Sequence, residues 1–589
     1  MTRTARSTCP YDCPDACGLL VQIGHDDQGR ERVDAVRGDP DHGYTRGSLC
    51  PKVNRYERTV YAPGRVLTPL LRAGPKGSGQ FTPTSWDDAL SLIARRWHAI
   101  RAAHGGEAIL PVSYAGTMGL VQRNALHPLF HKLGASLLDR AICTPAQEAG
   151  WAQVMGDTPG PDPDDVLAAD LVVLWGTNAL ATNIHFLHRV KKARERGAHV
   201  VLIDTWRQPT ADHVDATHLV RPGSDAALAL GLLHVLHGEG LVDHAFLDAH
   251  VQGYDVLARD VLPAHTPADT AARTGLHEAT VVALARAIGR AKVPFVRVGG
   301  GPFRTGRGAE ALRAMLALVT ATGAWARGGG LFASTGTADA FDASSLLRPD
   351  LMPTPRPRVI NLNRLGHALT ELGNDGDDGP PVHAIYVSHC NPAAVCPDQN
   401  AVLRGLARDD LFTVVHERFL TDTARYADVV LPAPTMLETS DLYRSYGQFF
   451  VQRTRPVIAP VGECRSNWDT IRALAAALGF HDDVFGKTAD EHIDAVLDVP
   501  SPWRAHLSRG SVDRAALDRG EAVRLTPPRG AFLTPSGRIE LSPAHLGPPR
   551  AQPTWADLDD AARFPLRLQP APALYRLNSS FAERDDLND

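Results

Sequence analysis

The chain has 589 residues, 44% hydrophobic and 22% charged, which is enough for several domains with well-filled cores. Its 61 basic and 66 acidic side chains leave a formal charge of −5, which gives no support for binding nucleic acid or an anionic membrane surface. No apolar run approaches the ~18–20 residues that span a bilayer. The start, MTRTARSTCP, holds neither a signal-peptide core nor paired arginines, so the expected location is cytoplasmic, with no direct membrane span.

Cysteines mark the first fifty residues. Cys9, Cys13 and Cys17 stand four apart in CPYDCPDAC, and Cys50 follows alone in GSLCPK. Three thiolates in one loop and a fourth at a distance can enclose a cubane 4Fe-4S cluster. Structural zinc also takes four thiolates, but usually as two close pairs. Disulfide frameworks typify small secreted domains, and this chain is large. A helix would place positions 9, 13 and 17 on one face, yet Pro10 and Pro14 favour a looped backbone. Cys9, Cys13, Cys17 and Cys50 are therefore the expected metal ligands of an iron–sulfur module spanning 1–62, and its chemistry is single-electron transfer. A zinc-stabilised binding protein is the alternative from another class.

From Pro63 to Pro83, prolines and glycines suggest a linker over a surface. Ser85 is the expected cap of the amphipathic helix WDDALSLIARRWHAIRAAH, with Asp87 and Asp88 in its first turn and Gly105 past its end. AILPVSYAG reads as a buried strand. From Ala169 an α/β rhythm sets in. DLVVLWGTN is a strand ending in a glycine turn, NIHFLHRVKKARERG a basic helix stopped by Gly197, AHVVLIDT a second strand, and DAALALGLLHVLHG a helix with a nearly continuous apolar face. Strand, crossover helix and strand at this spacing imply parallel pairing. VPFVRVGGG, then GAEALRAMLALVTATG, repeat the pattern. HAIYVSHCNP, LFTVVHERF and ADVVLPAP are later strand-like runs. The fold class is thus α/β, with two doubly wound units. Between them, ASTGTADAFDASSLLRPDLMPTPRPR reads as a surface excursion or a gate.

Ligands of open α/β sheets bind beyond the carboxyl ends of the strands. The expected cofactor-binding residues are therefore strand-ending ones. In the first unit they are Gly176, Thr177 and Asn178, then Asp204 and Thr205, then Gly223 and Asp225, and Gly300. In the second they are Asn391, Glu417, Thr421, Asp422 and Thr423, with Asp428 in the same stretch. Glycines let phosphates approach backbone N–H groups, and an acid at a strand end can grip a ribose hydroxyl or a guanine edge. Two such units suit two nucleotide-bearing ligands, or one ligand with two nucleotide arms.

Together these motifs resemble the molybdopterin oxidoreductases of the dimethyl-sulfoxide-reductase superfamily, a group that includes large subunits like those of formate dehydrogenase and nitrate reductase. CPYDCPDAC with GSLCPK is similar to the family's cluster module. VVLWGTN, VVLIDTWRQPTADHVD and VRPGSDAAL are similar to its first cofactor-binding unit, and HCNPAA with ERFLTDTARYADVVLPAPTMLE to its second. The resemblance implies a 4Fe-4S cluster and a molybdenum or tungsten bis(molybdopterin guanine dinucleotide). It implies that Cys143, in RAICTPAQEAGW, is the protein ligand to that metal and that Lys52 lies between cluster and pterin. It also implies a division into 1–62 (cluster module), 63–150 (first part of the second α/β unit, with the metal-ligand loop), 151–330 (first cofactor unit), 331–545 (second cofactor unit) and 546–589 (the start of an incomplete β-barrel cap). A small-molecule substrate would exchange electrons through the cluster with an external redox partner protein or carrier, since no nicotinamide or flavin motif is evident. An iron–sulfur relay protein of the same fold without molybdenum is the alternative.

Two departures from the family pattern bear on the substrate and the cofactor. Formate dehydrogenases of the family place a histidine after the metal ligand, where this chain has Thr144, and an arginine in the segment that here reads GGGLFASTGTADAF. Formate is accordingly disfavoured, and a cysteine ligand tells against the serine-ligated sulfoxide and N-oxide reductases, leaving an oxyanion or sulfur-oxyanion substrate open. The end of the chain, PLRLQPAPALYRLNSSFAERDDLND, starts like the family's carboxyl-terminal cap and stops there. A shortened cap would remove contacts to the cofactor.

Overall fold

The computed structural model describes residues 2–373, 379–499, 512–528, 530–551, 563–564, 566 and 568–587. Its first layer is a three-stranded antiparallel sheet, Arg3–Thr8, Gly18–His25 and Glu31–Gly38. The loop between the first two strands holds Cys9 and Cys13 and ends at Cys17. It is closed by the Cys9 N–H donating to the Cys17 carbonyl at 2.9 Å. No helix forms at positions 9–17, as the two prolines require.

A five-stranded parallel sheet follows. Its order is Ala216–Leu219, His199–Asp204, Leu171–Trp175, Pro294–Val298, Gly330–Phe332. The period-two alternation of side chains explains its two covered faces. Val172, Leu174, Val200 and Leu202 turn toward the helix Ile184–Glu195. Leu171, Val173, Val201 and Ile203 turn toward the helices Asp225–Gly238, Glu278–Arg290 and Gly308–Ala321. The helix Asp225–Gly238 is buried on nearly every side, which its apolar sequence dictates. Each leucine it hides contributes roughly 1.5–3 kcal/mol. In chain order the strands run 3-2-1-4-5 across the sheet, so the direction of winding reverses between Leu171–Trp175 and Pro294–Val298.

The second sheet has six strands, in the order Phe81–Pro83, Leu70–Arg72, Val429–Pro432, Phe412–Glu417, Ala384–Ser388, Ile109–Ser113. The last four are mutually parallel, and the first two close one edge antiparallel. The stretch from Pro63 to Pro83 therefore contributes two edge strands as well as a connection. Ser85 accepts from the Asp88 N–H at 3.1 Å and starts the helix Trp86–His104. Trp97 of that helix packs on Phe130 and Tyr386 over one face of the sheet.

The segment 333–358 differs from its expected surface course. Thr335 and Thr337 are buried, both hydroxyls donate to the Ser445 carbonyl, and Leu346 is fully enclosed. Its threonines and leucines find backbone carbonyls and apolar neighbours that a count of polar residues does not reveal. The stretch 546–589 falls partly outside the described residues. Of its described residues, the run 568–587 reaches the cluster module: Phe581 packs on Tyr11 at 4.7 Å, and Arg584 donates to the carbonyls of Lys52 and Asn54 at 3.4 and 3.0 Å.

Candidate active site

The four amino-terminal cysteines converge: Cys9 feels the charge of Cys50, Cys13 that of Cys9 and Cys50, and Cys17 that of all three. Burial pushes the Cys9 thiol up to about 12 and raises Cys13 and Cys17 well above the usual thiol range, with the neighbouring thiolates adding to the rise. Such a set stays deprotonated only around a strongly cationic centre. Among the described residues, no three His, Cys, Asp or Glu side chains close on one another tightly enough for a single metal ion. Four thiolates gathered at one place suit an iron–sulfur cluster.

Two ties run from this module to the first α/β unit. Lys52 is buried, and its Nζ donates to the carbonyls of Leu574 at 2.9 Å and Ala181 at 3.4 Å. Ala181 lies three residues past the turn Gly176–Asn178. The second tie is a buried polar chain. His185 Nε2 stands 4.0 Å from Cys17 Sγ and 3.1 Å from the Ser48 carbonyl, its Nδ1 lies 2.8 Å from Asp15, and Asn183 donates to Asp15 at 2.8 Å.

At the reversal of the first sheet, backbone meets backbone. Gly176 has φ +59°, and a Cβ on Gly299 would stand 2.1 Å from the Gly176 carbonyl oxygen, so this approach requires glycine. Thr177 and Asn178 are buried there. Gln208 donates to the Thr177 carbonyl at 2.7 Å, and Thr210 donates to Asn178 Oδ1 at 3.0 Å. Asp204 ends its strand, accepts from Thr205 and Gln208, and is raised by burial. Gly223, at φ +81°, turns the chain into the helix headed by Asp225, whose carboxylate accepts from the Trp175 indole at 2.9 Å. Gly300 lies in the turn after the Pro294–Val298 strand.

The carboxyl ends of the second sheet's parallel strands open into a cavity of about 330 Å³. Cys143, Asn391, Glu417 and Thr421 line it. Asn391 donates to Asp422 at 3.2 Å and accepts from the Thr423 hydroxyl at 2.7 Å, which ties the loops after two neighbouring strands together. Burial raises Glu417. Asp428 is a correction: it precedes its strand and so sits at the opposite edge of the sheet. There it pairs with Arg72 at 2.9 Å and Lys76 at 3.1 Å and accepts from the Thr413 N–H at 2.7 Å, a set of partners that seals the sheet's amino end.

Cys143 brings the two units together. Its N–H donates to the Tyr114 hydroxyl at 2.7 Å, from the loop after Ile109–Ser113 in the second sheet. Arg304, four residues beyond Gly300 in the first unit, points Nη2 at Cys143 Sγ at 3.5 Å. Asp12, between the cluster cysteines, shares the cavity and accepts from the Tyr446 hydroxyl at 3.1 Å. Burial is the largest effect on the Cys143 thiol and raises it, Asp12 adds to the rise, and Arg304 opposes it. A soft thiolate beside a cation in an enclosed, half-polar space suits a metal that other soft ligands already hold. Sequence reasoning missed Asp12, Tyr114, Arg304, His389 and Phe581, all of which line the same cavity. Only Arg304, just past a glycine turn, had a readable signal.

Comparison with known proteins identifies the family. Residues 65–477 match the family described as "Molybdopterin oxidoreductase", and residues 2–62 match its "Fe4S4 domain". The probable oxidoreductase YoaE of Bacillus subtilis is 36% identical over 586 residues, covering 98% of this chain and 84% of its own length. Dimethyl sulfoxide reductase DmsA of Escherichia coli is 27% identical, covering 91% of this chain and 73% of its own. The acetylene hydratase of Pelobacter acetylenicus shares the fold, with a TM-score of 0.75 at 20% identity over 95% of this chain and 82% of that one. The protein is an enzyme that belongs to the molybdopterin oxidoreductases of the dimethyl-sulfoxide-reductase superfamily, and its cofactors are a 4Fe-4S cluster and a molybdenum or tungsten molybdopterin.

Proposed function

We propose that the chain oxidises or reduces a small molecule at a metal held by Cys143 and exchanges the electrons, through the four-cysteine cluster, with an external redox partner. The observation behind this reading is the position of Cys143, with Tyr114 of one α/β unit on its N–H and Arg304 of the other on its sulfur. When bound, the molybdenum or tungsten pterin supplies the two-electron chemistry, and the protein positions and tunes it. Gly176–Asn178, Asp204, Thr205, Gly223, Asp225 and Gly300 would receive one nucleotide arm, and Asn391, Glu417, Thr421, Asp422 and Thr423 the other. Lys52 would hold the space between pterin and cluster, where its ammonium favours the reduced cluster. Tyr114 fixes the backbone of Cys143, and the Arg304 guanidinium favours its thiolate. Asp12 and Glu417 place carboxyl groups inside the cavity, where protons can be held away from bulk water. Phe581 and its neighbours keep water from the cluster side.

Metal analysis of anaerobically purified protein tests the scheme. The expected content is about four iron and one molybdenum or tungsten per chain. Iron alone would support the electron-relay alternative, and zinc alone would remove both redox readings. No helix among the described residues is long and apolar enough to cross a membrane.

A further inference from the structure

The basic helix Ile184–Glu195 presents a different chemistry on each face. Its inner face is buried and touches the cluster module: His185 Nε2 stands 4.0 Å from Cys17 Sγ and 3.1 Å from the carbonyl of Ser48, two residues before Cys50. Its outer face meets water. His188 is exposed there, with its ring 6.0 Å from the His185 ring. Two side chains thus lead from a cluster cysteine to the surface. Lys192 lies one turn beyond His188 and is exposed, and Lys191 beside it is half-buried. From the cluster module, Arg46 is exposed two residues before Ser48, whose carbonyl rests on the same helix.

The neighbouring carboxylates do not neutralise this face. Asp164 is taken by Arg189 of the inner face, and Asp215 by Arg194 at 2.7 Å. Lys191, Lys192 and Arg46 make no ion pair among the described residues, and Arg46 Nε donates to the Gly43 carbonyl at 3.1 Å. Glu195 is the one acid on the helix. A charged run on an exposed helix is ordinarily a solvated face that adds little to stability. This one differs in its place. The chain as a whole carries a formal charge of −5, yet its free positive charge gathers on the helix whose other side touches Cys17.

Building on the reading that electrons pass through the four-cysteine cluster, we propose that Arg46, Lys191 and Lys192, around His188, form the docking surface for the external redox partner, and that this partner is a small acidic protein with a one-electron centre. Carboxylates around the carrier's centre meet the two lysines and the arginine, which steers the carrier onto His188, next to His185 and Cys17. One electron crosses at each encounter: the carrier is oxidised by one electron as the cluster is reduced by one, or the reverse, and no bond forms or breaks. Two encounters balance one two-electron turnover at the metal. The basic side chains stay outside that chemistry and set the rate of encounter and its dependence on salt.

The test mixes the oxidised anaerobic holoenzyme with two reduced probes, an acidic 2Fe-2S ferredoxin and methyl viologen, and follows their oxidation by stopped flow. Wild type should accept electrons from the ferredoxin, with a second-order rate constant that falls steeply as ionic strength rises from about 0.02 to 0.3 M. Lys191→Glu/Lys192→Glu should slow this reaction roughly tenfold at low salt and flatten its salt dependence, and Arg46→Glu should slow it by a smaller factor. Lys191→Arg/Lys192→Arg should stay near wild type, and Arg101→Glu, on the helix Trp86–His104 of the second unit, should change little. The viologen reaction should be no slower in any variant, and iron content should be the same. Unchanged ferredoxin rates in both reversed variants, an equal loss in Arg101→Glu, equal slowing of both probes, or no ferredoxin reaction with a wild type that viologen reduces would overturn the proposal. So would lysine-dependent binding of phosphatidylserine vesicles, or lysine-dependent self-association, with ferredoxin rates unchanged; these would assign the face to a membrane surface or to a second copy of the chain. A wild-type cluster that viologen fails to reduce would instead overturn the reading of the cluster as the electron port, and the proposal with it.

Discussion

Single side chains set the electrical conditions of the proposed route. Lys52 is buried, donates to two carbonyls and bears electrostatically on Cys9, so in the proposed route its charge acts on the cluster across little water. Lys52→Gln should lower the cluster's reduction potential by tens of millivolts while four cysteines still hold it; an EPR-monitored redox titration with an unchanged midpoint would refute that role. Asp441 makes a different prediction. Burial lifts its carboxyl from 3.8 to about 7, so the folded protein holds a proton that the unfolded chain releases. Its stabilising contribution is complete below the unfolded value and is lost as pH rises through about 7. The melting-temperature advantage of wild type over Asp441→Asn should therefore shrink between pH 4 and 8, and a gap that stays constant would show that the carboxyl titrates normally.

At the scale of elements, the decisive feature is the close approach of two turns at the reversal of the first sheet. Trp175 and Gly299 are joined by a 2.8 Å hydrogen bond, and Gly299 leaves no room for a side chain against Gly176. Gly299→Ala must push the turns apart, at a cost of roughly 1–3 kcal/mol in stability. The expected variant keeps its iron but loses most of its molybdenum or tungsten, because the cluster cysteines lie on the antiparallel sheet's loops while the proposed nucleotide site depends on the turn. Equal retention of both metals, measured by mass spectrometry of the purified protein, would place the nucleotide elsewhere. The strands themselves were legible from sequence. Runs such as LVVLW and FTVVHE are apolar on both faces, as parallel strands covered on both sides must be. Their sheet order was not legible, because it is set by contacts between Ile109–Ser113 and Ala384–Ser388, some 270 residues apart.

Across the whole molecule, one cavity collects side chains from the cluster loop, both α/β units and the carboxyl-terminal segment. The cysteines announced themselves because thiolate ligands need particular spacings. Cys143 did not: nothing in RAICTPAQEAGW marks a metal ligand by itself, and its role came from resemblance alone. Tyr114 carries no local signature, since a polar residue in a loop is ordinary until the fold brings it to the backbone of a cysteine. Asp428 shows the opposite error, a strand-flanking acid whose place at the wrong end of its strand only the sheet could reveal. Cys143 is the residue that would join the metal to the protein, and X-ray absorption at the molybdenum or tungsten edge examines this directly by comparing wild type with Cys143→Ser. One sulfur scatterer should disappear from the metal's coordination shell, replaced by a shorter oxygen. Identical spectra from the two proteins, with the metal equally retained, would show that Cys143 does not hold the metal.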